Sequence, residues 1–243
     1  MALSMKRTSG KRASGQRRRR EDGATTKAQL LEAAGVLFAE KGFDRTTAKE
    51  IAEKAGTNAA SVNYHFGGIE GLYEEVLVEA HHRFVSLQAL ASAVEGEGDP
   101  QQKLRRLLEL FINAVTGPAS SSWAVRVLTR EILSPTPYFH TLRRKAIEPK
   151  KSLIFGLVSE VLGLPREHPS VARACFSIAA PCFLLLVADR HLIKQVFPAL
   201  GADATDAQAL IDHMVRFALG GIAEVSKHEA PQSSVARRSN KAG

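Results

Sequence analysis

The sequence has few of the residues that mark extracellular or membrane-spanning proteins. Its two cysteines, Cys175 and Cys182, are too few for a disulfide framework, so we expect a protein of the reducing cytoplasm. The longest uninterrupted apolar run, residues 178–188, is well short of the ~20 residues that a membrane-spanning helix needs. No apolar segment follows the first basic residues as in a secretory signal. The sequence therefore predicts a soluble, cytoplasmic protein with no membrane partner.

Patterns typical of catalytic, cofactor and metal sites are also missing. The sequence has no glycine-rich phosphate loop, no Gly-x-Ser-x-Gly turn and no Cys/His cluster with metal-ligand spacing. His81 and His82 are adjacent and therefore point about 100° apart on a helix, which prevents them from sharing one ion. We expect neither an enzyme nor a bound cofactor or metal. For Cys175 and Cys182, two buried thiols is the ordinary interpretation, and a redox or metal switch is the alternative.

No stretch alternates apolar and polar residues for long enough to predict a β-strand. Apolar residues recur instead at helical spacing, which predicts an all-α protein of about nine helices. Two short helices are expected within residues 46–66. The others are expected at about residues 25–41, 69–93, 101–116, 120–133, 138–162, 168–196 and 205–227.

The segment 46–73, TTAKEIAEKAGTNAASVNYHFGGIEGLY, predicts two short helices joined by a tight turn and followed at once by a third. Thr47 and Glu50 have the spacing of a capping box at the start of the first helix. Gly56 suits the left-handed residue after that helix, and Asn58 can cap the second. This is the pattern of a helix-turn-helix, whose second helix enters the major groove of DNA.

The second of these helices has an inner and an outer face. Val62 and Phe66 are four residues apart and share the face that points into the domain. Small, polar and aromatic residues occupy the opposite face and its flanks, where alanine methyls suit thymine, Asn63 suits an adenine edge, and hydroxyl or imidazole groups suit phosphates or bases. We predict these DNA-contacting residues: Thr46, Thr47, Asn58, Ala59, Ala60, Ser61, Asn63, Tyr64 and His65.

The stretch from about Thr25 to Leu77 resembles the DNA-binding domain of TetR/AcrR-type transcriptional regulators. The resemblance is carried by LLEAAGVLFAEKGFDRTT, IAEKAG, NYHF and GLY, in that order. The variant NAASVNYHFGG, with REILSPTP at Arg130–Pro137, resembles the subgroup that has a CecR-type C-terminal domain. Many members have Tyr at the position of Asn63 and Lys at that of Ile69, so the base contact differs here and one phosphate contact is missing.

The resemblance implies a homodimeric, ligand-responsive regulator of transcription. It would most often be a repressor that a small-molecule effector, unidentified here, releases from a palindromic double-stranded DNA operator. The implied architecture is an N-terminal three-helix helix-turn-helix domain, residues 24–77, and a larger ligand-binding and dimerisation domain, residues 78–227. An architectural DNA-binding protein with little sequence preference is the alternative. A recognition helix without Lys or Arg argues against it.

Positive charge is concentrated at the two ends of the chain. Residues 1–24 contain eight Lys or Arg and two acidic residues, and residues 228–243 contain three and one, whereas residues 25–227 contain 22 of each sign. We expect residues 1–23 to form a disordered basic arm and residues 228–243 a disordered tail. The arm is either a solubilising tail or a DNA contact in the backbone or minor groove. Its position directly before the first helix favours DNA contact.

The last two long helices are apolar over most of their surface. Residues 176–188 and 209–223 have more apolar surface than one face of a small domain requires. They are either core alone or, as the resemblance implies, the four-helix interface of a dimer. The predicted effector-binding residues lie among the C-terminal helices: Trp123, Arg126, Val127, Arg130, Phe139, Phe176 and Phe183. Arg126 and Arg130 would meet an acidic or phenolic ligand, or pair with Glu131 or Glu160.

Overall fold

The computed structural model describes residues 9–117, 122–201 and 206–229, and side chains from residue 22 onwards within those ranges. In that part of the chain every regular element is helical, which confirms the all-α prediction. The chain divides into two compact units, residues 1–79 and residues 80–243.

The first unit contains α1 (Ser9–Lys41), α2 (Ala48–Lys54), α3 (Ala60–Phe66) and most of α4 (Ile69–Phe84). Its core is formed by apolar side chains at helical spacing, as predicted for α1. Phe38 and Tyr73 meet edge to face, with ring centroids 4.8 Å apart. The most buried side chains of this core are Leu30, Ala34, Phe38, Ile51, Ala52, Val62, Leu72, Tyr73, Val76 and Leu77.

The first helix begins at Ser9, well before the predicted start at Thr25 or Thr26. The Thr26 hydroxyl donates to the Asp22 carbonyl, 2.9 Å away, as an interior helical residue does, and so Thr26 does not cap the helix. Arg, Lys and Ala are strong helix formers, so a basic composition is compatible with continuing the helix backwards. In the structure residues 9–23 belong to α1, where the sequence predicted a disordered arm. Residues 1–8 and 230–243 lie outside the described residues.

The second unit contains the end of α4 and the helices that follow it. These are α5 (Leu87–Glu95), α6 (Pro100–Thr116), α7 (Trp123–Leu133), α8 (Phe139–Leu142), a π-helical turn (Arg143–Ile147), α9 (Glu148–Leu162), α10 (Pro169–Val187), α11 (Arg190–Val196) and α12 (Ala207–Glu229). Helix α6 is central and packs against α5, α9, α10 and α12. Its Leu104, Leu107, Leu108 and Ile112 are fully buried.

Two of the predicted long helices are each divided into two. Ser86 interrupts the predicted helix 69–93, because its hydroxyl oxygen accepts from the Ala89 amide at 3.0 Å and starts α5. Asp189 interrupts the predicted helix 168–196, because its carboxylate accepts from the His191 and Leu192 amides at 2.9 and 3.0 Å. Serine and aspartate favour such capping positions, and here the caps override an apolar stripe that continues through both breaks.

The segment REILSPTP has a structural role. The Glu131 carboxylate is fully buried. It accepts from the Thr136 amide at 3.0 Å and from the Thr136 hydroxyl at 2.9 Å. A buried carboxylate requires such donors, so this pair fixes the loop that follows α7.

Candidate DNA-binding interface

Helix α2 begins with the predicted capping box. The Glu50 amide donates to the Thr47 hydroxyl oxygen at 3.3 Å, and the Thr47 amide donates to the Glu50 carboxylate at 2.9 Å. Lys41 on α1 donates to the other carboxylate oxygen at 2.7 Å. The hydrogen bond from Lys41, followed by those from Thr47, lowers the pKa of Glu50 to about 2. Glu50 therefore ties the start of α2 to α1 as an ionised carboxylate.

The turn between α2 and α3 has its own hydrogen-bond network. Gly56 adopts the predicted left-handed conformation, with φ at 67°. The Asn58 side-chain oxygen accepts from the Ser61 amide at 3.1 Å, which is the predicted cap of the second helix. The Thr57 and Ser61 hydroxyls are 3.0 Å apart, which fixes the first turn of α3 against the turn that precedes it.

Helix α3 has the two faces that helical geometry predicts. Val62 is fully buried, whereas Tyr64 is 85% exposed. Ala59, Ala60 and Asn63 are exposed, and His65 is half-buried. The exposed face presents small side chains first and then an amide and a phenol, so it is shaped for close approach to a groove.

Two predicted DNA contacts have hydroxyls that are engaged inside the protein. Thr46 is only 5% exposed, and its hydroxyl donates to the Gly42 carbonyl at 2.8 Å, which closes the turn after α1. Ser61 is half-buried, and its hydroxyl meets both Thr57 and Asn58. Thr46 therefore does not belong to the solvent-facing set, and Ser61 belongs to it only in part. Thr47 is exposed but its hydroxyl is part of the capping box.

Charge around the helix-turn-helix differs from that of a basic DNA-binding domain. Residues 25–79 contain five Lys or Arg and nine Asp or Glu. The sequence prediction omitted Arg45 and Lys49, which are exposed cations next to the start of α2. The Arg45 side chain is anchored by a 3.1 Å hydrogen bond to the Lys41 carbonyl. A charge tally of this segment alone would have drawn attention to both residues.

Helix α1 passes the carboxyl end of α3. A Cβ atom at Gly23 would lie 3.9 Å from Cε1 of His65. Lys27, one turn further along α1, has its ammonium 5.3 Å from the centre of the Phe66 ring. The basic first half of α1 therefore continues from a point beside the recognition helix.

The predicted effector-binding residues differ in exposure and lie on different faces of their helices. Trp123 and Val127 are buried on the inner face of α7, and Phe139 is half-buried. Arg126 and Arg130 lie on the exposed face of α7. Phe176 and Phe183 on α10 are 74% and 52% exposed. Apolar aromatic residues suit a core, a pocket or an interface equally, so sequence alone did not separate these outcomes.

A cleft of about 700 Å³ lies instead between α10, α11 and α12. None of the seven predicted effector residues lines it. Its floor reaches Leu108 on α6, and its walls include Leu184 and Phe217. The Ser170 hydroxyl and the Glu229 carboxylate, 2.5 Å apart, join the start of α10 to the end of α12.

The helices that border this cleft present large apolar side chains to solvent. Phe217 on α12 is 77% exposed, and a Cβ atom added at Gly220 or Gly221 would meet nothing within 4 Å. Leu184 on α10 is 52% exposed. A single chain thus leaves a ridge and an adjacent groove uncovered on one side of the C-terminal unit.

Helix α10 has one packed face and one open face. Among the described residues it is the one helix long and apolar enough to cross a membrane by length and composition alone, with a mean hydropathy of 1.9. Cys175 and Cys182 are buried on its packed face, as the ordinary interpretation predicted, and burial raises both thiol pKa values to about 11. In the described ranges no group of three His, Cys, Asp or Glu is placed to hold a metal.

Comparisons with known proteins match each unit to a family of regulatory proteins. The family described as "Bacterial regulatory proteins, tetR family" matches residues 30–76. The family described as "HTH-type transcriptional dual regulator CecR, C-terminal domain" matches residues 100–222, about half of the chain. The first match covers the helix-turn-helix, and the second begins at α6 and extends into α12.

Individual relatives agree with these matches. The probable HTH-type transcriptional regulator YttP of Bacillus subtilis (strain 168) is 27% identical over 67% of this chain and 76% of its own length. The HTH-type transcriptional dual regulator CecR of Shigella flexneri is 31% identical over 58% of this chain and 66% of its own length. The fatty acid degradation regulator FadR of Bacillus halodurans has a similar fold, with a TM-score of 0.60 and 19% identity over 80% of this chain and 98% of its own.

These relationships favour a sequence-specific regulator over an architectural DNA-binding protein. Both units match families of transcriptional regulators, and the helix-turn-helix has the predicted geometry. The chain therefore belongs to the TetR family of bacterial regulatory proteins, with a C-terminal domain of the CecR type, and is a DNA-binding transcriptional regulator.

Proposed function

We propose that this regulator is a cytoplasmic homodimeric repressor that binds a palindromic operator and leaves it when a small-molecule effector binds the C-terminal unit. The observation that carries the proposal is the exposed face of α3. Tyr64 is 85% exposed, two residues from the fully buried Val62. A large aromatic side chain that is exposed on a recognition helix does not contribute to the packing of the core. Its position suits contact with a DNA groove.

The DNA-contacting set comprises the exposed side of α3 and the residues around its start. Asn63 and Tyr64 would contact base edges, and the methyl groups of Ala59 and Ala60 would allow the helix to approach thymine closely. Asn58, Thr47 and His65 lie at the margins of this face and would contact phosphates. Arg45 and Lys49 add cations beside the start of α2.

The basic half of α1 would provide most of the attraction to the DNA backbone. Acidic residues outnumber basic residues by nine to five in residues 25–79, so this segment alone repels phosphates. Residues 1–24 contain eight Lys or Arg, and six of them lie on α1, the helix that passes His65. We therefore assign this segment to DNA contact, as a helical extension of α1.

A second copy of this chain would cover the open side of α10 and α12. Phe217 and Leu184 line the cleft and are exposed, and Phe176 is 74% exposed on the same helix as Leu184. Phe217 lies about one turn from Gly220 and Gly221, where the surface is open. Such a ridge beside a groove suits a two-fold interface, in which each copy places its Phe217 in the groove of the other. Two recognition helices would then face one palindrome.

Selection of DNA from a random library with the full-length protein tests this function. The expected product is an inverted repeat whose half-sites are centred about 10 bp apart or a multiple of that. The operator sequence, placed upstream of a reporter, should lower expression when the protein is present. Equal affinity for selected and unrelated duplexes at physiological salt would support the architectural alternative instead.

A further inference from the structure

The cleft between α10, α11 and α12 is larger than one side chain of a second copy requires. Its volume of about 700 Å³ lies within the range of small-molecule pockets, roughly 300–1,000 Å³. Its floor is Leu108 of the central helix α6, which is only 1% exposed. On its wall, a Cβ atom added at Gly221 would meet nothing within 4 Å. The cleft therefore has room for a molecule well beyond the size of one phenyl ring.

The lining that α10 contributes is polar at one end only. Its polar lining residues, Ser170, Arg173 and Ser177, all belong to the first half of the helix. Its second half lines the cleft with apolar residues, among them Pro181 and Leu184. The segment that contains α11 adds apolar side chains alone. A cleft with a polar end and an apolar body suits an elongated amphipathic molecule.

The two charged residues at the polar end differ in their partners. The Glu229 carboxylate accepts from the Ser170 hydroxyl at 2.5 Å and lies 3.8 Å from Nε2 of His168. The Arg173 guanidinium is exposed and, within the part of the chain that the structure describes, has neither a hydrogen-bond nor an ion-pair partner. A guanidinium without a partner can bind a carboxylate through two parallel hydrogen bonds. The polar end therefore favours an anionic head group over a cationic one.

We infer that this cleft binds a single-chain amphipathic carboxylate, with Arg173 holding the carboxylate and the chain lying along the apolar half of α10. The inference rests on the proposed function, because it assigns the chemical class and the site of the effector. In the proposed dimer the partner's Phe217 enters the same cleft, so the ligand and the partner exclude one another. The effector then releases the operator by separating the two copies, since one copy can hold only one half-site.

The competition follows from residues that serve both the cleft and the open surface. Leu184 and Phe217 line the cleft and are 52% and 77% exposed, so a chain lying against them covers surface that the second copy needs. A ligand that binds only the separated copies shifts the equilibrium towards them by mass action. At a ligand concentration ten times its Kd, the apparent dissociation constant of the dimer should rise roughly hundredfold, because two clefts are filled for each dimer that dissociates.

Three probes with the same chain and different head groups test the inference on the full-length protein. They are decanoate, decanol and decyltrimethylammonium, each used below the concentration at which it forms micelles. Calorimetry measures binding, light scattering measures the molar mass, and the anisotropy of a labelled operator duplex measures DNA binding. Decanoate should bind at least tenfold more tightly than the other two. It should lower the molar mass towards that of one chain and release the duplex over the same range of concentration.

The variant Arg173→Gln removes the guanidinium at an exposed position, so we expect it to fold and to dimerise as the wild type does. Its affinity for decanoate should fall at least tenfold, and decanoate should no longer change its molar mass at the concentration that separates the wild type. Its affinity for decyltrimethylammonium should not fall. The matched control is Arg126→Gln, which removes the same charge from the exposed face of α7, outside the lining of the cleft. This control should behave as the wild type.

Four results would overturn the inference or its basis. If decanoate binds and the protein stays dimeric on its operator, ligand and partner do not compete. If all three probes bind alike, or Arg173→Gln binds decanoate as the wild type does, the cleft does not select a carboxylate. If no probe binds a protein that is dimeric and binds its operator, the cleft is not a ligand site. If the protein is monomeric without any probe, or binds no selected duplex, the proposed function itself fails.

Discussion

Val62 and Tyr64 are two residues apart on α3 and lie at opposite extremes of exposure, 0% and 85%. A spacing of two residues turns a helix by about 200°, so the two side chains point in nearly opposite directions. The core side fixes the helix in the domain, and the other side is left for DNA. Substitutions at these two positions should therefore separate stability from DNA binding.

Replacing Tyr64 with Ala should weaken operator binding by roughly tenfold, which is about 1.4 kcal/mol. The thermal stability of the Tyr64→Ala variant should stay nearly unchanged, because an exposed side chain contributes little to the core. Anisotropy and thermal unfolding measure the two effects. Val62→Ala is the matched control and should lower stability by about 1–3 kcal/mol through the cavity that it leaves. A reversed pattern would mean that α3 is turned the other way in the complex.

Deleting residues 1–20 should make operator binding less sensitive to salt. The deletion removes eight Lys or Arg. Each phosphate contact that is lost lowers the slope of log affinity against log salt by about 0.9 in magnitude. Deleting residues 230–243, which removes three Lys or Arg at the other end of the chain, provides the comparison. Equal slopes in wild type and the N-terminal deletion would show that this segment does not touch DNA.

Replacing Phe217 with Asp should give a folded monomer that binds a two-half-site operator weakly. A carboxylate at this exposed position is hydrated in the monomer but would be buried without a partner in the proposed interface. Light scattering gives the oligomeric state and circular dichroism the helix content. Ile222→Asp on the same helix should unfold the protein instead, because Ile222 is only 5% exposed. A Phe217→Asp protein that remains dimeric would place the interface elsewhere.

Protonation of Glu50 at low pH should lower the stability of the first unit. Its pKa is lowered from 4.5 to about 2, so its stabilising effect is complete above about pH 4.5 and is lost as the pH falls towards 2. Urea unfolding of wild type and Glu50→Gln should show a difference in stability that is constant near neutral pH. That difference should disappear between pH 4.5 and 2. A difference that persists at pH 2 would have a cause other than ionisation of this carboxylate.

The sequence predicted the helix-turn-helix well because its signals are local. The capping box of Thr47 and Glu50, the left-handed Gly56 and the two faces of α3 each depend on residues within one or two turns. Local rules of helix geometry and capping determine such features. These features were therefore accessible without any knowledge of the tertiary structure.

Elements that depend on tertiary context were less predictable. The apolar stripe of α4 continues into α5, and only the Ser86 cap separates them. Phe176 and Phe183 were predicted to line a pocket but lie on the open face of α10. A pattern of aromatic residues does not distinguish a pocket from an interface. The contact of Lys150 with His81 joins residues that are far apart in sequence, and no local pattern indicates it.

Because α1 is one unbroken helix, its basic segment has a fixed angular position relative to its buried segment. Its 33 residues extend about 50 Å, and Arg17–Arg20 and Leu30 belong to the same rod. The angular position of the basic segment about the helix axis, relative to Leu30, is then set by the number of residues between them. One alanine inserted at Gly23 would swing the whole basic segment by about 100°, whereas four would return it close to its original bearing, one turn further out. With a flexible linker in place of the helix, neither insertion would change the angle of the basic segment in a defined way. In a continuous helix the number of residues in this segment determines that angle.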